Sequence, residues 1–446
     1  MLSNSAFTIV VVGGGVAGLS AAIGLRLKGH KIIVLEKTTT LQTLGGSLLI
    51  PPNAARVLHS YGIYDKKFRA SEAMPGAITT FRYDDGRVLE EIDYRAMEGI
   101  FGFPAMSIPR ATYQKLLYDA AIDLGVQVHL SSRIKHLDEN TPSVTLTTGE
   151  VITGDIIVGA DGIKSAVRSA ILGDDDVQPV PESIAYQTSV SEADMMSDPL
   201  TAPLMSGNTV HSWYGPSRQI ISGSDTSATY RSTLIVYPTT TLASASDVVA
   251  ANSTSSYRLG SVTSLRQVVS DFEPRVRKMA ELVKPEDCFL WKIAHLPTLK
   301  SWVSESGRVV LIGDAAHAMV PHFGAGAATA VEDGGVLAAC IDHAHSLSSI
   351  PDALKAYEKL RRPRSERVQA AALTTGQYKV MPDGPAQQDR DLRMAQRMDK
   401  SNPRYKFWKA AGGVEWFYGY KFEKEVNEFY DSASKNEQQT RIGSKL

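Results

Sequence analysis

Short apolar runs followed by glycine-rich turns recur along the chain, and the first run opens the most regular stretch. Phe7–Val12 (FTIVVV) leads into Gly13–Gly18 (GGGVAG), which is followed by helix-forming residues up to Leu27. A second apolar run, Lys31–Leu35, is followed directly by Glu36. Continuous β-branched runs are typical of buried parallel strands. The pattern therefore predicts two parallel strands joined by a helix.

The glycines of this turn follow the spacing G-x-G-x-x-G of dinucleotide-binding units. Gly13 permits a tight turn, Gly15 lets the backbone approach a pyrophosphate, and Gly18 lets the helix pack closely on the strand. The helix N-terminus adds free N–H groups that favour a phosphate. Glu36 is placed to accept hydrogen bonds from a ribose. These residues predict a bound dinucleotide and leave open whether it is NAD or FAD.

Two later stretches repeat the succession of strand, glycine turn and helix. Asp155–Val158 precedes Gly159–Arg168 (GADGIKSAVR), in which the carboxylate of Asp161 lies at the turn. Arg308–Ile312 precedes Gly313–Ala327 (GDAAHAMVPHFGAGA). The small residues of the latter run would leave the N-terminus of the next helix free for close contact with a ligand. We therefore expect a second part of the cofactor site here.

Three polar side chains stand out in Gly313–Ala327. Asp314 follows the predicted strand and is placed to hold a hydroxyl of a ribityl chain. His317 and His322 lie among glycines and alanines that would make a poor core. We therefore interpret both histidines as functional rather than structural.

Alternation of polar and apolar residues appears in the middle of the chain. The runs Thr209–Ile221 and Thr233–Pro238 alternate and predict one large sheet. The C-terminal part reads as helical, and we predict a solvated charged face at Arg361–Arg364. The aromatic run Trp408–Tyr420 is expected to pack on the body, and Asp431–Gly443 is expected to be a mobile polar tail.

Composition narrows the class of protein. The chain has 446 residues, 43% of them hydrophobic, and a net charge of −1, which gives no electrostatic reason to expect nucleic acid. Two cysteines form no disulfide framework, and no metal site is predicted. No apolar run is long enough to span a bilayer, and we expect no signal peptide.

The three glycine motifs together resemble those of the FAD-dependent aromatic hydroxylases, particularly the salicylate-hydroxylase-like monooxygenases of fungi and bacteria. The resemblance implies an α/β fold in which a Rossmann-like FAD-binding domain is interleaved with a sheet-based substrate domain, as in p-hydroxybenzoate hydroxylase, with a helical C-terminal part. It assigns residues 1–75, 105–178 and 290–345 to the FAD-binding domain, and 76–104 and 179–289 to the substrate domain. Residues 346–430 then form the helical part and 431–446 a flexible tail.

The same resemblance implies which residues bind the cofactor. Gly13, Gly15 and Gly18 would hold the FAD diphosphate and Glu36 the adenosine ribose. The other implied contacts are with the flavin, its ribityl chain or the nicotinamide co-substrate, and they come from Gly46, Arg110, Asp161, Asp314 and Ala327. The implied reaction uses NAD(P)H and O₂, and a flavin C4a-hydroperoxide would hydroxylate or epoxidise an aromatic small molecule, phenol-type or indole-type. The protein would orient the reactants and exclude water.

The chain departs from the family pattern where substrates are expected to bind. Relatives often have Tyr-Arg where this chain has Tyr186-Gln187, and a second position falls near Ser222-Gly223. An indole or another neutral ring from secondary metabolism is therefore as plausible a substrate as a phenol. Catalytic residues stay unassigned, and the weak candidates for the substrate face are Tyr214, Arg218 and Tyr230.

Two other functions stay open at this point. Flavin-dependent halogenases share the fold and carry a W-x-W-x-I-P run, whereas Phe289–Ala294 (FLWKIA) lacks the first tryptophan and the proline. The other alternative is a non-redox protein that uses FAD as a structural element in binding or cyclisation.

The last three residues of the sequence, Ser444-Lys445-Leu446, match the peroxisomal address S-K-L. We expect an import receptor to bind them and the protein to collect in peroxisomes. Without that signal the chain is expected in the cytoplasm.

Overall fold

The computed structural model describes residues 6–41, 46–70, 76–207, 209–224, 229–237, 257–399, 401 and 415–443. The predicted address at 444–446 and residues 408–414 of the aromatic run lie outside these ranges. The strands are β1 Thr8–Val12, β2 Lys31–Leu35, β3 Ser47–Ile50, β4 Ala77–Arg82, β5 Val88–Asp93, β6 Met106–Pro109, β7 Gln127–His129, β8 Ile134–Asp138, β9 Ser143–Leu146, β10 Val151–Thr153, β11 Ile156–Gly159, β12 Val180–Ser191, β13 Thr209–Gly215, β14 Arg218–Ser224, β15 Thr229–Val236, β16 Tyr257–Leu259, β17 Cys288–His295 and β18 Val309–Leu311.

Helices of very different lengths connect these strands and make up the C-terminal part. They are α1 Val16–Leu27, α2 Pro52–Ser60, α3 Met97–Phe101, α4 Arg110–Asp123, α5 Ala166–Leu172, α6 Glu192–Met196, α7 Val262–Val268, α8 Pro274–Leu282, α9 Asp314–His317, α10 Gly326–Asp342, α11 Ile350–Lys379, α12 Pro385–Arg397, α13 Glu415–Tyr418 and α14 Phe422–Gly443. No helix in the described ranges is both long enough and apolar enough to cross a bilayer.

A parallel sheet in the order β18-β11-β1-β2-β7 carries the three glycine motifs. Four of its strands, β1, β2, β11 and β18, are almost fully buried, which explains their continuous apolar sequence, whereas the edge strand β7 is largely exposed. Strands β1, β11 and β18 are neighbours, so the turns that follow them lie at one edge of the sheet. The predicted Rossmann-like unit is confirmed.

A second, eight-stranded sheet has the order β16-β17-β12-β15-β14-β13-β4-β5 and confirms the predicted large sheet. One face, the far face, packs on α7 and α8 and includes Tyr186 and Leu234. The opposite face, the near face, includes Ala185 and Ile235 and packs on Val320 of the last glycine motif and on α11. The near face therefore lies toward the cofactor motifs. Strand β17 belongs to this sheet and runs across the predicted domain boundary at residue 290.

The C-terminal part is helical as predicted, with one difference. Helix α14 continues to Gly443, where the sequence predicted a mobile tail from residue 431. The stretch is polar, but it contains neither proline nor glycine before Gly443, so intrinsic helix propensity is sufficient to extend the helix. Within the described part of the aromatic run, Phe417, Tyr418 and Tyr420 are buried against the core, as expected.

Candidate active site

The first glycine turn leaves an open space at the N-terminus of α1. A Cβ on Gly13, whose φ is +112°, would lie 2.3 Å from the carbonyl oxygen of Ala160, and one on Gly18 would lie 1.9 Å from the carbonyl oxygen of Gly13. A Cβ on Gly15 would meet no atom within 4 Å. No side chain caps α1, so its first N–H groups remain available to an anion. The turn therefore fits a pyrophosphate beside Gly15.

Glu36 organises this turn with its buried carboxylate. Its Oε2 accepts a hydrogen bond from the Gly14 N–H at 2.7 Å, and its Oε1 accepts from the N–H and hydroxyl of Thr38, each at 2.9 Å. A carboxylate has about four acceptor positions, so one is left for a ribose hydroxyl. From the other side, the Gln114 amide on α4 donates to the Gly14 carbonyl at 2.7 Å. Sequence reasoning missed Gln114, because no local pattern shows that this helical amide is buried against the glycine turn.

The last glycine motif lies directly beside the first. A Cβ on Gly313 would lie 2.7 Å from the Cβ of Ala17 in α1. Asp314 is exposed at the start of α9, and its carboxylate has no hydrogen-bond partner in the described part of the chain, as a ribityl-binding residue requires. Ala327 lies in the first turn of α10, which no side chain caps. Both predicted contacts are therefore accessible at the edge where the motifs meet.

Gly46 and Arg110 are brought together by the small β3–β6 sheet. Ser47 pairs with Pro109, and the Arg110 N–H donates to the Gly46 carbonyl at 3.2 Å. The Arg110 side chain is exposed and forms no ion pair within the described ranges. Arg110 also begins the helix that carries Gln114 to the first glycine turn, and its predicted cofactor contact stays a prediction.

Asp161 has a structural task in the middle motif. Its carboxylate accepts hydrogen bonds from the Ser165 hydroxyl, from the Ala166 N–H at 2.7 Å and from the Val167 N–H at 3.3 Å. These contacts hold the N-terminus of α5 against the turn that touches Gly13. The predicted contact of Asp161 with FAD and NAD(P)H stays a prediction.

A buried charge cluster lies below the last glycine motif. Asp333 on α10 accepts from the Gly313 N–H at 2.8 Å and from the Arg361 Nε at 2.8 Å, and its Oδ2 lies 2.6 Å from His317 Nε2. Burial alone would raise the pKa of Asp333, but His317 and Arg361 outweigh it and leave this pKa below its usual value. The cluster therefore ties the glycine turn to α9, α10 and α11.

Glu332 extends the cluster toward α2 and the C-terminal aromatic residues. It pairs with Arg361 at 2.9 Å and with Arg364 at 2.7 Å, and Asn53 on α2 donates to it at 2.7 Å. The Arg364 guanidinium lies 3.7 Å from the ring centroid of Tyr420. Burial opposes ionisation of Glu332, but the arginines lower its pKa below the usual value.

The burial of charged and polar side chains corrects two sequence-based interpretations. Arg361 is fully buried and Arg364 nearly so, because each pairs with carboxylates, so their face of α11 is not solvated. His317 and His322 are also buried, at 2% and 4% exposure, and hydrogen-bonded, so both belong to the packed core that their glycine-rich surroundings were expected to preclude. The sequence does contain a signal for buried charge partners. Two adjacent acids, Glu332-Asp333, lie in a helix of small apolar residues, and buried carboxylates require paired partners.

Gln187 lies at the junction between the near face and Gly46, hereafter called the cleft. A Cβ on Gly46 would lie 3.0 Å from the Gln187 Nε2 and 3.9 Å from the Thr233 Oγ1. Gln187 is half-buried, and its amide makes no hydrogen bond to any described residue. A neutral amide beside Gly46 is thus available to a ligand as both donor and acceptor. No group of three or more candidate metal ligands occurs in the described ranges.

The three weak candidates for the substrate face have structural partners. Arg218 and Tyr230 lie on the far face, where Arg218 pairs with both Asp271 oxygens at 2.7 Å and the Tyr230 hydroxyl lies 3.0 Å from His211 Nδ1. Tyr214 is buried against Leu89 and against Met394 of α12. None of the three borders the cleft at Gly46. A small cavity of about 30 Å³ under the far face is lined mainly by apolar side chains and lies away from the motifs.

Comparison with known proteins agrees with this geometry. Residues 6–372 match the family model described as an FAD binding domain. The chain is 30% identical over 416 residues to the FAD-dependent monooxygenase OpS4 of Beauveria bassiana, covering 92% of this chain and 94% of that protein. It is 30% identical over 387 residues to hispidin-3-hydroxylase of Neonothopanus nambi, covering 82% and 88%. The fold matches a salicylate hydroxylase solved as a substrate complex with a TM-score of 0.76 and 20% identity, covering 95% of this chain and 98% of that one.

Proposed function

Because the chain belongs to the family of FAD-dependent monooxygenases, we propose that it uses NAD(P)H and O₂ to insert one oxygen atom into a neutral aromatic small molecule of phenol or indole type. The balanced reaction consumes substrate, O₂, NAD(P)H and a proton and yields oxygenated product, NAD(P)⁺ and water. Bound FAD supplies the transfer of electrons from NAD(P)H and the activation of O₂. The product is a hydroxylated ring or an epoxide.

The residues of this chain contribute binding and orientation. Gly15 and the N-terminus of α1 fit the diphosphate, Glu36 the adenosine ribose, and Asp314 the ribityl chain. Gly46 and Ala327 border the predicted position of the flavin ring. Oxygen transfer requires that water be kept from the cleft, and the packing of the near face against Val320 and α11 closes one side of it.

The observation that carries the substrate class is the unpaired amide of Gln187 beside Gly46. A carboxylate or phenolate would need a cation at this position to offset its desolvation, and an amide provides none. A neutral hydroxyl, carbonyl or indole N–H matches an amide well. Hispidin-3-hydroxylase of Neonothopanus nambi, to which the chain is 30% identical, is named as a hydroxylase, which supports hydroxylation as the reaction.

A matched panel of compounds tests this proposal. Phenol, indole and catechol would be compared with salicylate, indole-3-acetate and 2,3-dihydroxybenzoate as stimulators of NADPH and NADH oxidation by the holoenzyme. We expect stimulation by neutral members only. Stimulation confined to the carboxylated members would contradict the substrate class. A product that gains chlorine instead of oxygen in the presence of chloride would favour the halogenase alternative.

We also propose a location. A chain ending at Leu446 carries the S-K-L address at its carboxyl end, after helix α14, whose residues 431–435 are exposed. A peroxisomal import receptor is then the expected partner.

A further inference from the structure

His322, in the last glycine motif, joins three separate elements of the fold. Its Nε2 lies 2.5 Å from the hydroxyl of Tyr237, and its Nδ1 lies 3.3 Å from Oε1 of Gln219. Gln219 lies on β14 and Tyr237 directly follows β15, both on the near face. Lys379, the last residue of α11, donates from Nζ to the His322 carbonyl at 2.7 Å. Both the ring and the backbone of His322 are therefore fixed.

The direction of these hydrogen bonds follows from the chemistry of the partners. Oε1 of Gln219 can only accept, so His322 carries its hydrogen on Nδ1 and its Nε2 accepts from the Tyr237 hydroxyl. Burial, assisted by the charge of Lys379, lowers the pKa of His322 to about 3. The imidazole is therefore neutral at physiological pH. The result is one ordered chain from Tyr237 through His322 to Gln219.

Helix α11 is shaped to pass over this chain. A Cβ on Gly376 would lie 2.5 Å from the Tyr237 hydroxyl oxygen and 2.6 Å from Cδ2 of His322. The two rings are stacked, with centroids 5.5 Å apart and planes at 24°. Because residue 376 is glycine, the rings of Tyr237 and His322 can lie directly against α11.

The position of His322 in the motif links these hydrogen bonds to the cofactor site. The residue lies in the turn Pro321–Phe323, between Asp314 and Ala327, both predicted cofactor contacts. Gly324 directly follows this turn and has a φ of +63°. A Cβ on Gly324 would lie 3.8 Å from Cδ2 of Leu49 on β3, the strand that follows Gly46. Whatever moves this turn therefore also moves the boundary of the cleft.

We propose that His322 is a positioning residue, held by Tyr237 and Gln219, that fixes this turn against the near face and thereby sets the surroundings of the bound flavin. This inference rests on the proposed function. His322 acts through the turn and transfers no proton in the reaction. Loss of the Tyr237 hydroxyl would leave a buried Nε2 without a partner and release the turn, which would admit water and separate NAD(P)H oxidation from oxygen insertion.

The far face of the same sheet offers a matched control. The Tyr230 hydroxyl lies 3.0 Å from Nδ1 of His211, and burial lowers the pKa of His211 to about 4. The pair has the same chemistry, and its histidine is about as buried as His322, but Tyr230 is fully buried whereas Tyr237 is partly buried. The sheet separates the pair from the cofactor motifs, so Tyr230→Phe reports the cost of losing a buried Tyr–His hydrogen bond away from the cofactor.

The test compares Tyr237→Phe and Tyr230→Phe holoenzymes with the unmodified protein. Tyr230→Phe should lose at least as much thermal stability as Tyr237→Phe, because Tyr230 is the more deeply buried of the two tyrosines. Only Tyr237→Phe should change the visible circular dichroism of bound flavin, weaken FAD binding about fivefold, which is the effect of one neutral hydrogen bond, and raise the hydrogen peroxide released per NADPH consumed. Gly376→Ala, which crowds the pair from α11 and removes no polar group, should give the same flavin change if Tyr237→Phe does not fold.

Unchanged flavin dichroism and FAD affinity in both Tyr237→Phe and Gly376→Ala would overturn the inference, as would equal changes in Tyr230→Phe. A protein that oxidises no NADPH with any substrate would refute the proposed function. The flavin signals would still decide the role of His322 in that case, because they require no turnover.

Discussion

At the scale of single residues, glycines of one motif have different physical reasons to be glycine. Gly13 and Gly18 are fixed by backbone contacts of 2.3 and 1.9 Å that a Cβ would make. Gly15 has open space instead, as the proposed diphosphate site requires. The spacing of the motif predicts all three residues, but only the structure separates packing from binding.

Substitution of Gly15 by valine should separate folding from cofactor binding. We expect the Gly15→Val protein to fold, since the side chain enters open space, and to retain little flavin absorbance, since the side chain occupies the place of the pyrophosphate. Gly99→Val is the control, because a Cβ there also meets nothing within 4 Å but lies on α3, away from the motifs. Full flavin content in Gly15→Val would contradict the assignment.

Gln187 should determine the charge of the accepted substrate. Replacement by leucine removes the only hydrogen-bonding group of that side chain, so KM for a neutral phenol or indole should rise about tenfold with flavin content unchanged. Gln187→Arg should instead allow stimulation of NADPH oxidation by carboxylated analogues. The exposed Gln388→Leu serves as the control. Unchanged substrate kinetics in both Gln187 variants would remove this residue from the site.

Residue-scale prediction was weakest where a choice between two faces of a strand was needed. Alternation on β13, β14 and β15 indicates that each of Tyr214, Arg218 and Tyr230 points to one face of the sheet. It does not indicate which of the two faces meets the cofactor. Two of them point to α7 and α8. The departure at Gln187 was visible in the sequence and lies at the cleft.

At the scale of elements, α9, α10 and α11 are held together by charges that no local pattern could assign. Asp333 and Arg361 are 28 residues apart and meet only because α10 and α11 pack together. Sequence periodicity predicted the helices, whereas the partners of their charges depend on tertiary packing. The predicted solvated face was wrong for this reason.

Asp333→Asn tests the importance of this cluster. Removing one charge from a buried ion pair should lower the free energy of unfolding by about 3 kcal/mol at pH 7. The same change at Asp123, whose pair with Lys67 is exposed, should cost less than about 1 kcal/mol. Chemical unfolding of the two variants measures the difference, and equal costs would mean that the cluster adds no particular stability.

The pH dependence of that difference follows from the lowered pKa of Asp333. A carboxylate with a folded pKa below its unfolded pKa of about 4 contributes stability above that pH and loses it as the pH falls toward the folded pKa. The gap between Asp333→Asn and the unmodified protein should therefore be constant from pH 8 to 5 and narrow below about pH 4. A gap that widens in acid would contradict the ionised state of Asp333.

At the scale of the whole molecule, the order of elements was the most predictable feature. Buried parallel strands and glycine turns carry strong local signals, and both the Rossmann-like unit and the large sheet followed from them. The boundary at residue 290 was less predictable, because it falls inside β17, which no glycine or proline interrupts between Cys288 and His295. Helix α14 shows the same limit, since exposed polar sequence is compatible with either helix or coil.

The proposed address makes a prediction about the complete protein in cells. An N-terminally fluorescent protein ending at Leu446 should appear in puncta that overlap a peroxisomal marker, and deletion of residues 444–446 should make it diffuse. Flavin content and turnover should stay the same, because no cofactor motif lies near the end of the chain. Extending the chain by one residue beyond Leu446 masks the signal and is the matched control. A diffuse distribution of the unmodified chain would refute the proposed address.

The central claim is that the protein inserts one oxygen atom from O₂ into a neutral aromatic ring. The most direct test is mass spectrometry of the product that the holoenzyme forms from NADPH and whichever of phenol, indole or catechol stimulates oxidation, under ¹⁸O₂ in ordinary water. The account predicts a product carrying one ¹⁸O atom, formed equally well in the presence of a metal chelator. Label that enters only from ¹⁸O-labelled water, or NADPH oxidation that yields hydrogen peroxide and no oxygenated product with any of the three, would contradict it.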